Sequence, residues 1–153
     1  NLNVLGSTKN NLMLWRNKQD LKFFKSVSQQ YTNIVTKATF SSMPKLQDRQ
    51  FLVTTKTPIL ENEYTFEQIK AIIEKHEKPH LCIGGLTLYK ELLPLTDHFI
   101  LCKVNNNIQG DILLDESLLL NFAQKQNIYN SKSYNIDLYS HLNTTLTLNK
   151  TWN

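Results

Sequence analysis

The sequence predicts an α/β protein with a mixed, mostly parallel sheet, flanking helices and an antiparallel C-terminal edge. Up to about residue 104, short apolar runs of strand-forming residues alternate with helical patterns, which is typical of parallel strands joined by crossover helices. Beyond Asp111 the helical patterns stop, and 128–139 is predicted to form antiparallel edge structure. The length of 153 residues allows one domain with a buried core, so a single domain over 1–153 is expected.

Four segments carry helix signals. Asn17 is positioned to cap a helix over 20–29, and Thr65 and Gln68 form a capping box that starts a helix ending near Lys75. The other helical segments are one turn over 39–43, stopped by Pro44, and 86–93, which ends at Pro94. Between them, short β-rich apolar runs predict strands at 33–36, 51–55, 81–83 and 99–104.

Composition excludes several classes of protein. No apolar run approaches the roughly 18 residues of a membrane helix, and no secretory signal is present, so a cytoplasmic protein without a membrane partner is expected. The net charge of +4 comes from dispersed lysines, which favours a solvated surface and anionic small molecules over nucleic acid. Cys82 and Cys102 lie in apolar runs and are predicted to be buried thiols, and the scattered histidines indicate no metal site.

Gly84 and Gly85 stand between an apolar strand and a helix, and they are two of only four glycines. Without Cβ atoms, this backbone can approach a ligand closely, and the N–H groups of the next helix can face an anion. The alternative is a tight strand-to-helix turn with no ligand. No G-x-G-x-x-G pattern is present, so the standard Rossmann fingerprint is absent.

The residues around these glycines favour the ligand-binding interpretation. "IGGLTLY" followed by "KELLPLTDHFIL" resembles the cofactor-binding segment of the dihydrofolate reductase family. Four further segments resemble that family in the correct order: "VLGSTKNNLMLWRNKQDLKFFK", "TKATFSSMPKLQDRQFLVTT", "NIQGDILLD" and "SYNIDLYS". The resemblance covers roughly residues 3–140, and it implies a dihydrofolate reductase-like fold.

The resemblance implies NADPH-dependent reduction of 7,8-dihydrofolate to tetrahydrofolate, with hydride added at carbon 6 and a proton at nitrogen 5. Asp20 would accept both in-plane donors of the pterin and promote its protonation, and its pKa should rise in an apolar cleft. Plain helix capping is the alternative role of Asp20. Trp15 would lie on the mobile loop that closes over the site. Asp20 and Trp15 are the two residues that the resemblance implies to be catalytic.

The resemblance also assigns binding residues. The expected substrate-binding set, in which Arg49 clamps a carboxylate of the glutamate tail, is Asp20, Leu21, Phe24, Met43, Arg49 and Cys102. An aromatic residue such as Phe24 is more often core, and an arginine is more often on the surface. The expected NADPH-binding set, in which the peptide between Gly84 and Gly85 is cis, is Gly6, Met13, Lys37, Thr39, Thr54, Thr55, Lys56, Ile83, Gly84, Gly85, Leu86, Thr87 and Tyr89.

The chain also departs from the family pattern. The family's first strand is expected to be missing, Thr36 replaces a usual glycine, and Cys102 replaces the threonine that usually supports the acid. A tail over 141–153 extends past the usual end; it is expected to be an added strand, an arm for a protein partner, or a solvated segment. Two alternative functions remain open: a family fold with weak or no catalysis in a larger assembly, and a related pterin- or flavin-pathway reductase.

Overall fold

The computed structural model describes residues 2–6, 14–149 and 152. These residues form two compact units. The terminal unit comprises the described residues up to Phe24 together with those from Pro94 onward, and the central unit comprises Lys25–Leu93. Helix α1 (Lys18–Gln30) begins in the terminal unit and ends in the central unit.

The central unit contains a four-stranded parallel sheet. Its strands are β2 (Thr32–Thr36), β3 (Phe51–Thr54), β4 (Glu63–Tyr64) and β5 (His80–Gly84), in the order β4-β3-β2-β5. Thr36 pairs with Thr54, and Val35 pairs with Gly84, so the carboxyl ends of β2, β3 and β5 lie at the same edge. The apolar, β-branched centre of β2 explains its central place, since Ile34 and Val35 are fully buried.

Three helices complete the central unit: α2 (Lys37–Ser42), α3 (Phe66–Glu74) and α4 (Leu86–Leu92). The predicted capping box is present at α3, where Thr65 Oγ1 accepts from Gln68 N–H and the Gln68 side chain accepts from Thr65 N–H. A core of four buried side chains joins the sheet to α3 and α4: Ile34, Ile69, Leu88 and Leu92. Burial of each of these aliphatic side chains contributes about 1.5–3 kcal/mol to stability.

The start of α1 follows its predicted cap. Asn17 Oδ1 accepts the backbone N–H groups of Gln19 and Asp20, each at 3.0 Å. These bonds satisfy two N–H groups that have no partner within the helix. The cap fixes the first turn of α1, and that turn carries the acidic side chain of Asp20.

The terminal unit is antiparallel. Strand β1 (Leu2–Gly6) pairs with β7 (Ile112–Asp115), and β6 (His98–Val104), β9 (Tyr134–Ser140) and β8 (Gln124–Asn130) form a three-stranded sheet in that order. Short 3-10 turns cover Leu93–Leu95 and Glu116–Leu119. The hairpin of β8 and β9 corresponds to the antiparallel edge predicted at 128–139.

The predicted α/β class, with parallel strands, helices and antiparallel pairing, is confirmed. Strands β1 and β4 were not predicted; β4 has only two residues, too few for a periodic pattern. Residues 141–149 form neither a helix nor a strand, while Trp152 is buried at 3% exposure. The single domain stays a prediction. Within the described ranges, no helix has both the length and the apolarity needed to cross a membrane.

Candidate active site

A partly buried hydrogen bond holds the acid of helix α1. The Tyr134 hydroxyl donates to Asp20 Oδ1 at 2.8 Å, although the two residues are 114 positions apart in the sequence. Tyr134 opens strand β9 and is only 1% exposed. Its hydroxyl therefore fixes one carboxylate oxygen of Asp20 through a bond of the length typical for an O–H donor and an oxygen acceptor.

Cys102 lies beside this pair on the neighbouring strand. Cys102 of β6 pairs with Ile136 of β9, so it is a diagonal neighbour of Tyr134 on the same face of the sheet. Burial raises the pKa of the Cys102 thiol to about 12, an effect that the Tyr134 hydroxyl reduces and that the Asp20 and Asp137 carboxylates increase. Burial, Cys102 and Asp20 also raise the pKa of Tyr134. Both groups therefore stay protonated at neutral pH, and Tyr134 stays a donor to Asp20.

The Asp20 carboxyl is tuned by opposing effects. Burial raises its pKa, while the Tyr134 hydroxyl and the Trp15 indole, which both stabilise the ionised carboxylate, lower it by less. Trp15 Nε1 is buried and has no partner in hydrogen-bonding geometry among the described residues. A buried indole N–H beside a carboxyl group leaves a donor available for water or a ligand atom.

The paired glycines form a separate feature in the central unit. The Gly84–Gly85 peptide is cis, as the resemblance implies, and Gly84 has φ +127°, a conformation that side-chain-bearing residues rarely adopt. A Cβ on Gly85 would lie 3.3 Å from Thr39 Oγ1, and one on Gly84 would lie 3.4 Å from the Tyr89 hydroxyl oxygen. Thr39 and Tyr89 therefore pack close to the glycine backbone and leave little room for a side chain on that side.

Most of the predicted cofactor residues lie at one edge of the parallel sheet. Thr36 ends β2 and caps α2, with its hydroxyl donating to Thr39 Oγ1 at 3.0 Å and accepting from Thr39 N–H at 3.3 Å. Thr54 ends β3, Thr55 N–H donates to the Tyr64 carbonyl, and Lys56 is exposed. Ile83 lies on β5, while Leu86 and Thr87 open α4. The carboxyl edge of a parallel sheet is where α/β proteins place their ligands.

Lys37 has a partner that the sequence did not indicate. Its Nζ lies 2.9 Å from Glu63 Oε2, and the Glu63 side chain is only 3% exposed. The other Glu63 oxygen accepts the N–H groups of Leu60 at 3.0 Å and Ile59 at 3.1 Å. The Leu60 N–H bond, the Lys37 ammonium and the Ile59 N–H bond lower the pKa of Glu63 to about 2. The positive charge of Lys37 is therefore balanced by a carboxylate that is ionised at neutral pH.

The remaining predicted residues lie on several elements of both units. Leu21 is 45% exposed on α1, and Phe24 is partly buried on the same helix. Met43 terminates α2, and the partly buried Arg49 lies in the segment before β3. Gly6 ends β1 opposite Ile112, and Met13 lies outside the described residues. The binding roles of these side chains stay predictions.

Tyr134 and Glu63 were not singled out from the sequence. Tyr134 belongs to the quoted "SYNIDLYS" segment, where an aromatic residue with a polar tip on an apolar strand is a signal for a buried hydrogen bond. Glu63 has no comparable signal, because its partners depend on the local path of the chain before β4. Across the described part of the chain, no three His, Cys, Asp or Glu side chains are grouped as a metal site would require.

Comparison with known proteins decides the family. The model of the family described as dihydrofolate reductase matches residues 3–145. The chain belongs to the dihydrofolate reductase family. The resemblance inferred from the five motifs is confirmed, and the match ends before Trp152.

Individual relatives are distant. Dihydrofolate reductase of Bacillus subtilis is 29% identical over 108 residues, 67% of this chain and 64% of that enzyme, which is less than two thirds of its length. Dihydrofolate reductase type 9 of Escherichia coli is 31% identical over 121 residues, 71% of this chain and 68% of that protein.

A solved structure shares the fold. It is dihydrofolate reductase from Enterococcus faecalis complexed with NADP(H) and RAB-propyl, with a TM-score of 0.72 and 24% identity. The similarity covers 90% of this chain and 88% of that one. The predicted dihydrofolate reductase-like fold is therefore confirmed.

Proposed function

We propose that this protein reduces 7,8-dihydrofolate to tetrahydrofolate with NADPH. The observation that carries the proposal is the Asp20 carboxyl, placed by the Asn17 cap in the first turn of α1 and held through Oδ1 by Tyr134. Membership of the dihydrofolate reductase family supports the same reaction.

The proposed substrate matches the donor and acceptor chemistry at Asp20. With Oδ1 engaged by Tyr134, the carboxyl retains acceptor capacity for the adjacent amino and ring N–H groups of a pterin. Burial raises the pKa of Asp20, so the site favours holding a proton near the pterin more strongly than a solvated aspartate would. Asp20 thus orients the pterin and promotes the protonation that accompanies reduction.

The residues of the central unit fit a dinucleotide. Gly84 and Gly85 carry no side chains at the carboxyl end of β5, near the Thr39 hydroxyl, and the exposed Lys56 follows β3 at the same edge of the sheet. NADPH, when bound, supplies the hydride. The chain's own contribution is to hold the cofactor at the Gly84–Gly85 backbone, with Thr54, Thr55 and Lys56 as the group that meets its 2′-phosphate.

The deciding experiment compares the parent chain with Asp20→Asn. We expect NADPH-dependent loss of dihydrofolate in the parent and a fall of about 100-fold or more in the variant, the scale of a lost acid–base group. Asp97→Asn is the matched control, because Asp97 is an exposed aspartate of the same unit. NADPH binding, measured by calorimetry, should be the same in all three proteins. Absence of turnover in the parent chain would contradict the proposed reaction.

One observation favours the alternative of a family fold with weak catalysis. Lys37 is expected to meet the cofactor's phosphates, yet its charge is balanced by Glu63. If this pairing persists when a dinucleotide is present, the chain would bind NADPH weakly. The calorimetric titration of the parent chain tests this reason for weak catalysis, since tight NADPH binding would show that the Lys37–Glu63 pair does not hinder the cofactor.

A further inference from the structure

The buried Trp152 connects the acid-bearing helix to the antiparallel sheet of the terminal unit. Its ring makes edge contacts with Phe23 of α1, with ring centroids 4.9 Å apart, and with Tyr129 of β8 at 5.6 Å. Its backbone carbonyl accepts from Gln19 Nε2 at 2.7 Å, across 133 positions of sequence. Trp152 and Phe23 are 3% and 4% exposed, so these contacts are shielded from solvent.

The two α1 residues that Trp152 contacts flank Asp20. Gln19 precedes Asp20, and Phe23 lies four positions after Gln19, so both present to one side of the helix. Tyr129, the third contact, packs against Tyr134 with ring centroids 6.0 Å apart. Tyr134 in turn holds the Asp20 carboxylate. Trp152 therefore braces both the helix that carries the acid and the strand residue that orients it.

We propose that Trp152 is a positioning residue for Asp20, holding the first turn of α1 at the distance from β8 and β9 that lets Tyr134 fix the carboxylate. Trp152 lies beyond residue 145, where the family match ends, so nothing in the family comparison assigns it. The expected effect on kcat and KM rests on the proposed reductase function. The expected effect on the hydrogen bond between Tyr134 and Asp20 does not. It also gives the tail a role within its own chain, in place of the predicted arm for a protein partner.

The first test replaces Trp152 with alanine and, separately, with phenylalanine. Misplacement of a reacting group by about 1 Å costs on the order of 100-fold in rate, so we expect Trp152→Ala to lower kcat by about 10- to 100-fold and to raise KM for dihydrofolate. Trp152→Phe keeps an aromatic ring against Phe23 and should restore most of the rate. NADPH affinity should not change, because none of the residues that Trp152 contacts belongs to the expected NADPH-binding set.

A matched control separates positioning from general destabilisation. Phe122 is a buried aromatic residue of the same unit that contacts Phe99, Tyr139 and His141. Phe122→Ala should lower Tm, as Trp152→Ala does, but leave kcat and KM for dihydrofolate near those of the parent. Equal kinetic losses in both variants would overturn the inference, as would parent-like kinetics in Trp152→Ala.

A milder variant covers the case in which Trp152→Ala does not fold. Gln19→Met removes only the donor to the Trp152 carbonyl, and Gln29→Met is its control, since Gln29 is an exposed glutamine of the same helix. A kinetic loss in Gln19→Met and none in Gln29→Met supports the positioning role. The absence of any difference between these two variants contradicts it.

A final measurement does not depend on turnover. The Tyr134 hydroxyl proton, identified in NMR spectra by its absence from Tyr134→Phe, should exchange slowly in the parent because Asp20 holds it. We expect exchange at least tenfold faster in Trp152→Ala and Gln19→Met, a change of about 1.4 kcal/mol in the opening equilibrium. If the parent shows no reductase activity, the proposed function fails, and this exchange rate still decides the inference. Unchanged exchange in both variants would overturn it.

Discussion

Lys37 Nζ and Glu63 Oε2 lie 2.9 Å apart, and this ion pair stands where the family resemblance places a cation for the cofactor's phosphates. The Glu63 carboxylate is also fixed by the Ile59 and Leu60 N–H groups, so its position does not depend on Lys37 alone. Lys37 is 48% exposed, whereas Glu63 is buried. Of the two, the lysine is therefore the partner that is free to turn toward an anion.

The first prediction concerns cofactor affinity. Glu63→Gln removes the competing charge and keeps a side-chain oxygen for the Ile59 and Leu60 N–H groups. We expect NADPH binding to tighten by about two- to fivefold, because the half-exposed Lys37 limits the pair to about 1 kcal/mol or less. Calorimetry at low and high salt checks this, since the gain should shrink as salt screens Lys37. Glu67→Gln, a change at an exposed glutamate of the same unit, is the control.

The second prediction concerns acid stability. The pKa of Glu63 is lowered to about 2 from an ordinary value of 4.5, so the folded state holds the ionised form more strongly than the unfolded chain does. Its contribution to the free energy of unfolding is complete above pH 4.5 and declines as the pH falls toward 2. Glu63→Gln should therefore be less stable than the parent at pH 6, with a difference that narrows toward pH 2. Denaturant unfolding of both proteins between pH 2 and pH 6 measures this difference in the free energy of unfolding. A difference that is constant with pH would contradict the lowered pKa of Glu63.

The third prediction concerns the proton at Asp20. The Tyr134 hydroxyl lowers the pKa of Asp20 against the larger effect of burial. Tyr134→Phe removes this donor, so the pKa of Asp20 should rise further, and the protonated form should persist to higher pH. We expect the midpoint of the alkaline fall in hydride-transfer rate to move to higher pH. Tyr139→Phe, on the same strand, should leave the midpoint in place.

The fourth prediction concerns the paired glycines. Gly85→Ala places a methyl group 3.3 Å from Thr39 Oγ1, between two residues that are expected to bind the cofactor. NADPH affinity should fall by about tenfold or more, equivalent to 1.4 kcal/mol or more. The double variant Thr39→Ala/Gly85→Ala removes the close oxygen, so its Tm should recover while its NADPH affinity stays low. Recovery of both quantities would mean that the methyl group disturbs only the fold. Thr39→Ala alone is the reference.

Local features of the fold could be predicted from the sequence. Asn17, Thr65 and Gln68 act on backbone groups two or three positions away, so the helices they cap followed directly from residue order. The four central strands were also predictable except β4, because β-branched apolar runs bounded by polar residues mark buried strands. The Gly84–Gly85 pair was recognisable from the sequence as the turn between a strand and a helix.

Contacts between distant segments were not predictable. Tyr134 and Asp20 are separated by 114 positions, and Trp152 and Gln19 by 133. Which residues meet at such separations depends on strand register, and a shift of one position would turn Tyr134 to the opposite face of β9. Cys102 stands where the family usually has the threonine that supports the acid, and here the hydroxyl that bonds Asp20 comes from Tyr134 on the adjacent strand. A single sequence carries no signal for that exchange.

The positions of the two tryptophans allow distances in this protein to be measured by fluorescence energy transfer. Its only two tryptophans, Trp15 and Trp152, both belong to the terminal unit, whereas most of the expected NADPH-binding residues, Gly84 and Gly85 among them, belong to the central unit. Reduced nicotinamide absorbs light in the range where indole emits, so excitation of either ring can pass to bound NADPH with an efficiency that falls with distance. In Trp152→Phe the signal reports from Trp15 beside Asp20, and in Trp15→Phe it reports from Trp152. The two single-tryptophan proteins would thus give the distances from Trp15 and from Trp152 to bound NADPH in solution, without any attached label.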